Sequence, residues 1–163
     1  MFYVPLTNGY DGLCLDAEND SGGNPNESGD KVQLWTCNSG ATQQYWNVSA
    51  TIGSWGPITS EYGNHLCLDA ENDSGGNPSQ NGDKVQMWTC NSNAIQQQWL
   101  LETGPDDSLA FVNEYDTSQT IVLAAENDSG GNPSQCGDNV QVQTWASQSE
   151  QTWNSGDSSS QCS

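Results

Sequence analysis

Short runs in this chain alternate apolar and polar residues with a period of two, most clearly LCLD at 13–16 and KVQLW at 31–35. A period of two sends alternate side chains to opposite faces of a strand, so these runs predict half-buried strands and not helices. Clusters of Gly, Asn and Pro separate the runs. Pro25, Pro78 and Pro133 each stand inside such a cluster, where a fixed φ is tolerated and no ladder N–H is lost.

The runs recur. Cys14 to Trp46 reads CLDAENDSGGNPNESGDKVQLWTCNSGATQQYW, and Cys67 to Trp99 reads CLDAENDSGGNPSQNGDKVQMWTCNSNAIQQQW. A third copy, Val122 to Trp153, reads VLAAENDSGGNPSQCGDNVQVQTWASQSEQTW. The period is 53 to 55 residues, in the range of repeat architectures. Each copy supplies about four short strands, counting the hairpin before the cysteine, and the whole chain about twelve. Three units that cannot bury their apolar faces alone can close around a pseudo-threefold axis. The expected fold is therefore all-β, a β-trefoil. It forms a single domain over 1–163, with repeats at about 1–53, 54–106 and 107–154 and a tail at 155–163.

Each copy ends on Gln-x-Trp: Gln44-Tyr45-Trp46, Gln97-Gln98-Trp99 and Gln151-Thr152-Trp153. Together with CLD and VQLWTCN at repeat spacing, this signature strongly resembles the ricin-B-type (R-type) lectin domain. The resemblance covers the chain from about Tyr3 to Trp153. It implies that Trp46, Trp99 and Trp153 pack in the trefoil core. Leu15, Leu68, Leu123, Val32, Val85 and Val140 are expected to complete that core.

The resemblance also implies a sugar pocket within a repeat. Its parts are a carboxylate just after the first cysteine, an aromatic on the strand preceding QxW, and amides near QxW. In repeat one these positions are Asp16, Gln33, Trp35, Gln43 and Gln44; in repeat two they are Asp69, Gln86, Trp88, Gln96 and Gln97. In the family the QxW glutamine often braces the carboxylate, which gives that role to Gln44 and Gln97. The family usually places Asn where Gln43 and Gln96 stand here. The chemistry suits a neutral sugar: an ionised Asp accepts two hydroxyl protons in strong charge-assisted bonds, and an indole covers the C–H face of a pyranose. The alternative is that Asp16 and Asp69 only close turns and that Trp35 and Trp88 belong to the core. The strand period argues against it, since Val32 and Leu34 fall on one face and Gln33 and Trp35 on the other.

In the third copy the Asp becomes Ala124, the Trp becomes Gln143, the Lys becomes Asn139, and the cysteines become Val122 and Trp145. These changes fall together while the ENDSGGNP loop beside them stays identical. Asp and Trp thus behave as one functional unit, present in two repeats and absent from the third. The loop itself is read as a self-hydrogen-bonded Asx-type turn at the pocket rim. Its carboxylates and amides offer oxygen donors of the kind calcium takes, but not at EF-hand spacing, and no cofactor is expected.

Composition narrows the partners further. Twenty-one acidic residues face only Lys31 and Lys84, with no arginine, so phosphate-rich nucleic acid is excluded and anionic surfaces are repelled. No run of about eighteen apolar residues exists, so no membrane insertion is expected. The expected partners are neutral glycans. Of the six cysteines none forms a CxxC pair, and His65 is the only histidine, which favours disulfides over zinc. Fifteen pairings are possible. The repeats select Cys14–Cys37 and Cys67–Cys90, each 23 residues apart and each about 3 kcal/mol by loop closure, and leave Cys136–Cys162 by elimination. Disulfides point to a secreted, extracellular setting, although the opening MFYVPLTNGYDG lacks the features of a signal peptide. No catalytic constellation is evident: Asp16 and Asp69 lie in different repeats and His65 has no partner base or nucleophile. The expected function is a non-enzymatic carbohydrate-binding module with two working repeats. The alternatives are a module of a larger glycoside hydrolase, or a structural or protein-interaction trefoil.

Overall fold

The computed structural model describes residues 2–18, 27–71, 81–115, 120–126 and 135–162. Pro25, Pro78, Pro133 and the body of each ENDSGGNP loop lie outside these residues. Repeat one contributes β1 (Val4–Asn8), β2 (Cys14–Ala17), β3 (Val32–Trp35) and β4 (Tyr45–Val48). Repeat two contributes β5 (Trp55–Gly56), β6 (Ile58–Ser60), β7 (Cys67–Ala70), β8 (Val85–Trp88) and β9 (Trp99–Thr103). Repeat three contributes β10 (Leu109–Asn113), β11 (Ile121–Ala125), β12 (Val140–Thr144) and β13 (Trp153–Ser155). Among the described residues there is no α-helix, only single 3-10 turns.

Among the described residues thirteen strands stand where about twelve were expected, because the edge at residues 55–60 is interrupted at Pro57, whereas β1 runs unbroken through Pro5. The two halves take different partners: β5 pairs with β9, and β6 pairs with β4.

The pairings close a ring. β1 pairs with β4, β4 with β6, β5 with β9, β9 with β10, β10 with β13, and β13 returns to β1 through Leu6↔Ser155, Thr7↔Asn154 and Asn8↔Trp153. With β5 and β6 counted as one interrupted strand, this is a six-stranded antiparallel barrel. Hairpins β2–β3, β7–β8 and β11–β12 cap it, one from each repeat. Bridges between caps run in a cycle: Lys31↔Gln86, Lys84↔Gln141 and Asn139↔Gln33. Each bridge joins one repeat to the next, which is what a pseudo-threefold axis requires. The fold is a β-trefoil.

The three QxW tryptophans hold cap to barrel. Trp46, Trp99 and Trp153 are at most 1% exposed, on β4, β9 and β13. Their Nε1 atoms donate to the carbonyls of Leu15 (2.9 Å), Leu68 (3.2 Å) and Leu123 (3.1 Å) on the cap hairpins. A buried indole needs a partner for its one N–H, and here the partner is the same cap position each time. Leu15, Leu68, Leu123, Val32, Val85 and Val140 fill the core around them. All three disulfides join the expected partners: Cys14–Cys37, Cys67–Cys90 and Cys136–Cys162.

Candidate functional site

The cap hairpins place the candidate residues by register. In repeat one Asp16 stands directly opposite Gln33, Cys14 opposite Trp35, and Leu15 opposite Leu34. Alternation then puts Asp16, Gln33 and Trp35 on one face while Leu15, Ala17, Val32 and Leu34 are buried on the other. Repeat two repeats the register with Asp69 opposite Gln86 and Cys67 opposite Trp88. Trp35 is 43% exposed and Trp88 44%, whereas Asp16 and Asp69 are nearly buried beside them. The acids therefore form floors, and the indoles stand as walls.

Each carboxylate is gripped on both oxygens. Gln33 Nε2 donates to Asp16 Oδ1 at 3.0 Å, and Gln44 Nε2 donates to Oδ2 at 2.9 Å. In repeat two Gln86 Nε2 donates to Asp69 Oδ1 at 3.2 Å, and Gln97 Nε2 to Oδ2 at 2.9 Å. Gln44 is fully employed, since its Nε2 also donates to the Thr36 carbonyl (3.0 Å) and its Oε1 accepts the Asn38 N–H (2.8 Å). Gln97 makes the same set with Thr89 (3.1 Å) and Asn91 (2.8 Å). Both glutamines are buried, so they hold the acids and do not reach solvent.

Burial is the largest influence on these acids and raises both. Asp16 is pushed up to about 6, with the amide bonds from Gln33 and Gln44 opposing the rise and Glu18 adding to it. Asp69 is raised for the same reason, against the bonds from Gln97 and Gln86.

Asp16, Gln33, Trp35 and Gln43 line one open hollow of about 250 Å³. That is below the ~300–1,000 Å³ of a pocket enclosing a drug-sized ligand, and it suits one ring resting on a surface. Gln43 arrives from the 3-10 turn Thr42–Gln44, immediately before QxW. Gln96 occupies the matching turn Ile95–Gln97 and is half-buried. The site residues of repeat one thus come together in one hollow, while in repeat two the bonds join Asp69, Gln86 and Gln97, with Trp88 on the same face of a separate hairpin.

Repeat three has the same frame without the chemistry. Ala124 sits opposite Gln141 and is fully buried, and Gln143 stands opposite Val122 where the indole would be. The QxW glutamine Gln151 donates to Gln143 Oε1 (3.3 Å) and the Thr144 carbonyl (2.8 Å) instead of a carboxylate. One set of contributors was missed in sequence: Thr36 and Thr89, whose carbonyls anchor the bracing glutamines. Their signal was the threonine that follows the Trp or Gln position in all three copies.

The family profile described as the ricin-type beta-trefoil lectin domain matches residues 2–153, and the chain belongs to that family. A curated relative is the ribosome-inactivating protein PMRIPt of Polygonatum multiflorum, 27% identical over 127 residues, 73% of this chain. The match spans only 18% of that protein's length. Among solved structures, the designed threefold-symmetric protein ThreeFoil superposes with a TM-score of 0.75 at 24% identity, covering 95% of this chain and 98% of its own. The C-half of the earthworm R-type lectin, solved in complex with GalNAc, gives a TM-score of 0.66 at 16% identity over 94% of this chain and 97% of its own. At these identities the structures speak for the fold.

Proposed function

We infer that this chain is a non-enzymatic carbohydrate-binding module that holds a neutral saccharide in the hollows of repeats one and two. The supporting observation is a buried, doubly braced carboxylate beside a half-exposed indole, present twice and replaced as a unit in repeat three. A carboxylate offers about four lone-pair directions, and the glutamine amides take two, leaving one on each oxygen for vicinal sugar hydroxyls. Trp35 and Trp88 cover the apolar ring face, while Gln43 and Gln96 supply the outer amide contacts. Gln33, Gln44, Gln86 and Gln97 act by fixing Asp16 and Asp69. Galactose-, N-acetylgalactosamine- or xylose-type sugars fit this pattern, and the GalNAc complex of the earthworm lectin supports the second. Two shallow sites on one rigid domain gain avidity on a polymeric or cell-surface glycan through effective concentration. Three disulfides suit an extracellular setting.

The test is a glycan array with and without calcium, read for the wild type and for Asp16→Ala combined with Asp69→Ala. Loss of signal in a folded double variant is expected; retained binding refutes the assignment. A second reading, that the trefoil is one module of a larger protein such as a glycoside hydrolase, is favoured by its match to only 18% of PMRIPt. In that setting the trefoil still binds and a partner domain catalyses, so a glycosidase panel on this chain alone is expected to be blank.

A further inference from the structure

The turn before each central cap strand does not serve its own repeat. Gly29 N–H donates to the Met87 carbonyl (2.7 Å) and Met87 N–H to the Asp30 carbonyl (2.8 Å), so the turn of repeat one docks on β8 of repeat two. Likewise Gly137 donates to Leu34 and Leu34 to Asp138, both at 2.9 Å, so the turn of repeat three docks on β3 of repeat one. The glycines lie against the indoles: a Cβ built on Gly29 falls 3.8 Å from Trp88 Cζ3, and one on Gly137 falls 3.9 Å from Trp35 Cζ3. Their φ of +101° and +94° disfavours a side chain there, which keeps the ring edge open.

The residue just before each glycine reaches the threonine after the indole. In hollow two, Ser28 Oγ accepts the Thr89 N–H at 3.0 Å and lies 3.0 Å from Thr89 Oγ1. In hollow one the equivalent is Cys136, bonded to Cys162 of the tail; Thr36 Oγ1 accepts the Cys162 N–H at 3.1 Å and contacts its sulfur at 3.4 Å. Each threonine carbonyl in turn receives the glutamine that grips the carboxylate. A relay therefore runs from the neighbouring repeat's turn through Thr and Gln to Asp.

We propose that each saccharide hollow is a composite of two repeats. The Ser28–Gly29 turn of repeat one completes and tunes the hollow of repeat two, and the Cys136–Gly137 turn of repeat three, tied to the tail, does so for repeat one. This rests on the lectin reading above. It gives repeat three a role despite having no carboxylate of its own. It also makes the two hollows unequal: their Asp, Gln and Trp sets are identical, but one wall carries a hydroxyl and the other a disulfide.

The test uses the full chain in two single-hollow forms, Asp69→Ala (hollow one) and Asp16→Ala (hollow two). Into each are placed Ser28→Ala or the pair Cys136→Ser with Cys162→Ser. Calorimetry with N-acetylgalactosamine and lactose is read alongside thermal unfolding. Ser28→Ala is expected to weaken hollow two about three- to tenfold, the size of one hydrogen bond, and to leave hollow one alone; the serine pair does the reverse. Effects that stay within the substituted repeat, or that strike both hollows equally, overturn the composite assignment. Fluorine NMR of fluorotryptophan-labelled protein gives a ligand-free reading. Ser28→Ala should move the Trp88 resonance and leave Trp35 in place, and the opposite pattern also overturns it. Absence of binding by the wild type to any arrayed glycan instead sinks the lectin reading, a distinct outcome.

Discussion

Acidification is the perturbation that tests the carboxylate directly. Asp16 is 3% exposed, both its oxygens take amide hydrogens, and burial pushes it up to about 6. A sugar hydroxyl donating to Asp16 favours the ionised form, so binding through hollow one is coupled to loss of the proton. Above pH 6 the affinity should be flat. Below it, affinity should fall by up to about tenfold per pH unit, so at pH 5 the loss is about 1.4 kcal/mol. Folding moves in the opposite sense. Between the ordinary 3.8 and about 6 the native state binds more protons than the unfolded chain, so stability declines as pH rises through that window. The full difference is about 3 kcal/mol, present above pH 6 as a cost and relieved near pH 4. The assay is calorimetric titration of Asp69→Ala at pH 7.5, 6 and 5, with thermal unfolding of wild type and Asp16→Asn over the same range. The asparagine variant separates this group from the general repulsion among the other acids. An affinity unchanged between pH 7.5 and 5, or an Asp16→Asn stability profile parallel to the wild type, refutes the reasoning.

Other expectations follow from burial. Trp46→Ala removes a fully buried indole and orphans the Leu15 carbonyl, and should cost about 3–5 kcal/mol in denaturant unfolding. Trp35→Ala, at a half-exposed indole, should cost under about 1 kcal/mol of stability yet lower hollow-one affinity in the Asp69→Ala background at least about tenfold. Replacing Cys14 and Cys37 together by Ala should cost about 3 kcal/mol, read as a fall in unfolding midpoint.

Much of this architecture was legible in the sequence because it repeats. Three copies at a near-constant period pointed to the trefoil and two disulfide pairings, since each feature had copies to check it against, and the family resemblance implied the tryptophan core. Period-two alternation also placed Leu34 inward and Trp35 outward, a purely local signal. What stayed hidden was relational. The alternation marks a strand after Trp55, but not that its two parts would pair with β9 and β4 in turn. Gln44 was expected to brace the acid, but only the register shows that Gln33 is spent on the same carboxylate. The docking of each turn on the next repeat was invisible for the same reason. Contacts across a pseudo-threefold axis join residues more than fifty positions apart and leave no periodic trace of their own.

The third repeat keeps the fold while replacing the carboxylate and the indole. Replacing Asp by Ala124 removes the acceptor on which the QxW glutamine would otherwise spend an amide proton. An unsatisfied buried N–H of that kind costs about 1–3 kcal/mol. The indole position has become Gln143, whose Oε1 lies 3.3 Å from Gln151 Nε2 and supplies the missing acceptor. The two substitutions therefore compensate each other: the second repairs in hydrogen bonding what the first removes. The cysteine pair follows the same logic, with Val122 fully buried and Trp145 partly so in its place. Positions that close the trefoil are untouched, since Leu123, Val140, Gly137, Thr144 and Trp153 make the same contacts as their counterparts. Residues of the outer face and residues of the core face are thus separable along one hairpin, alternating with the pleat. This is why a chain can keep three repeats for closure while keeping carboxylate and indole in two.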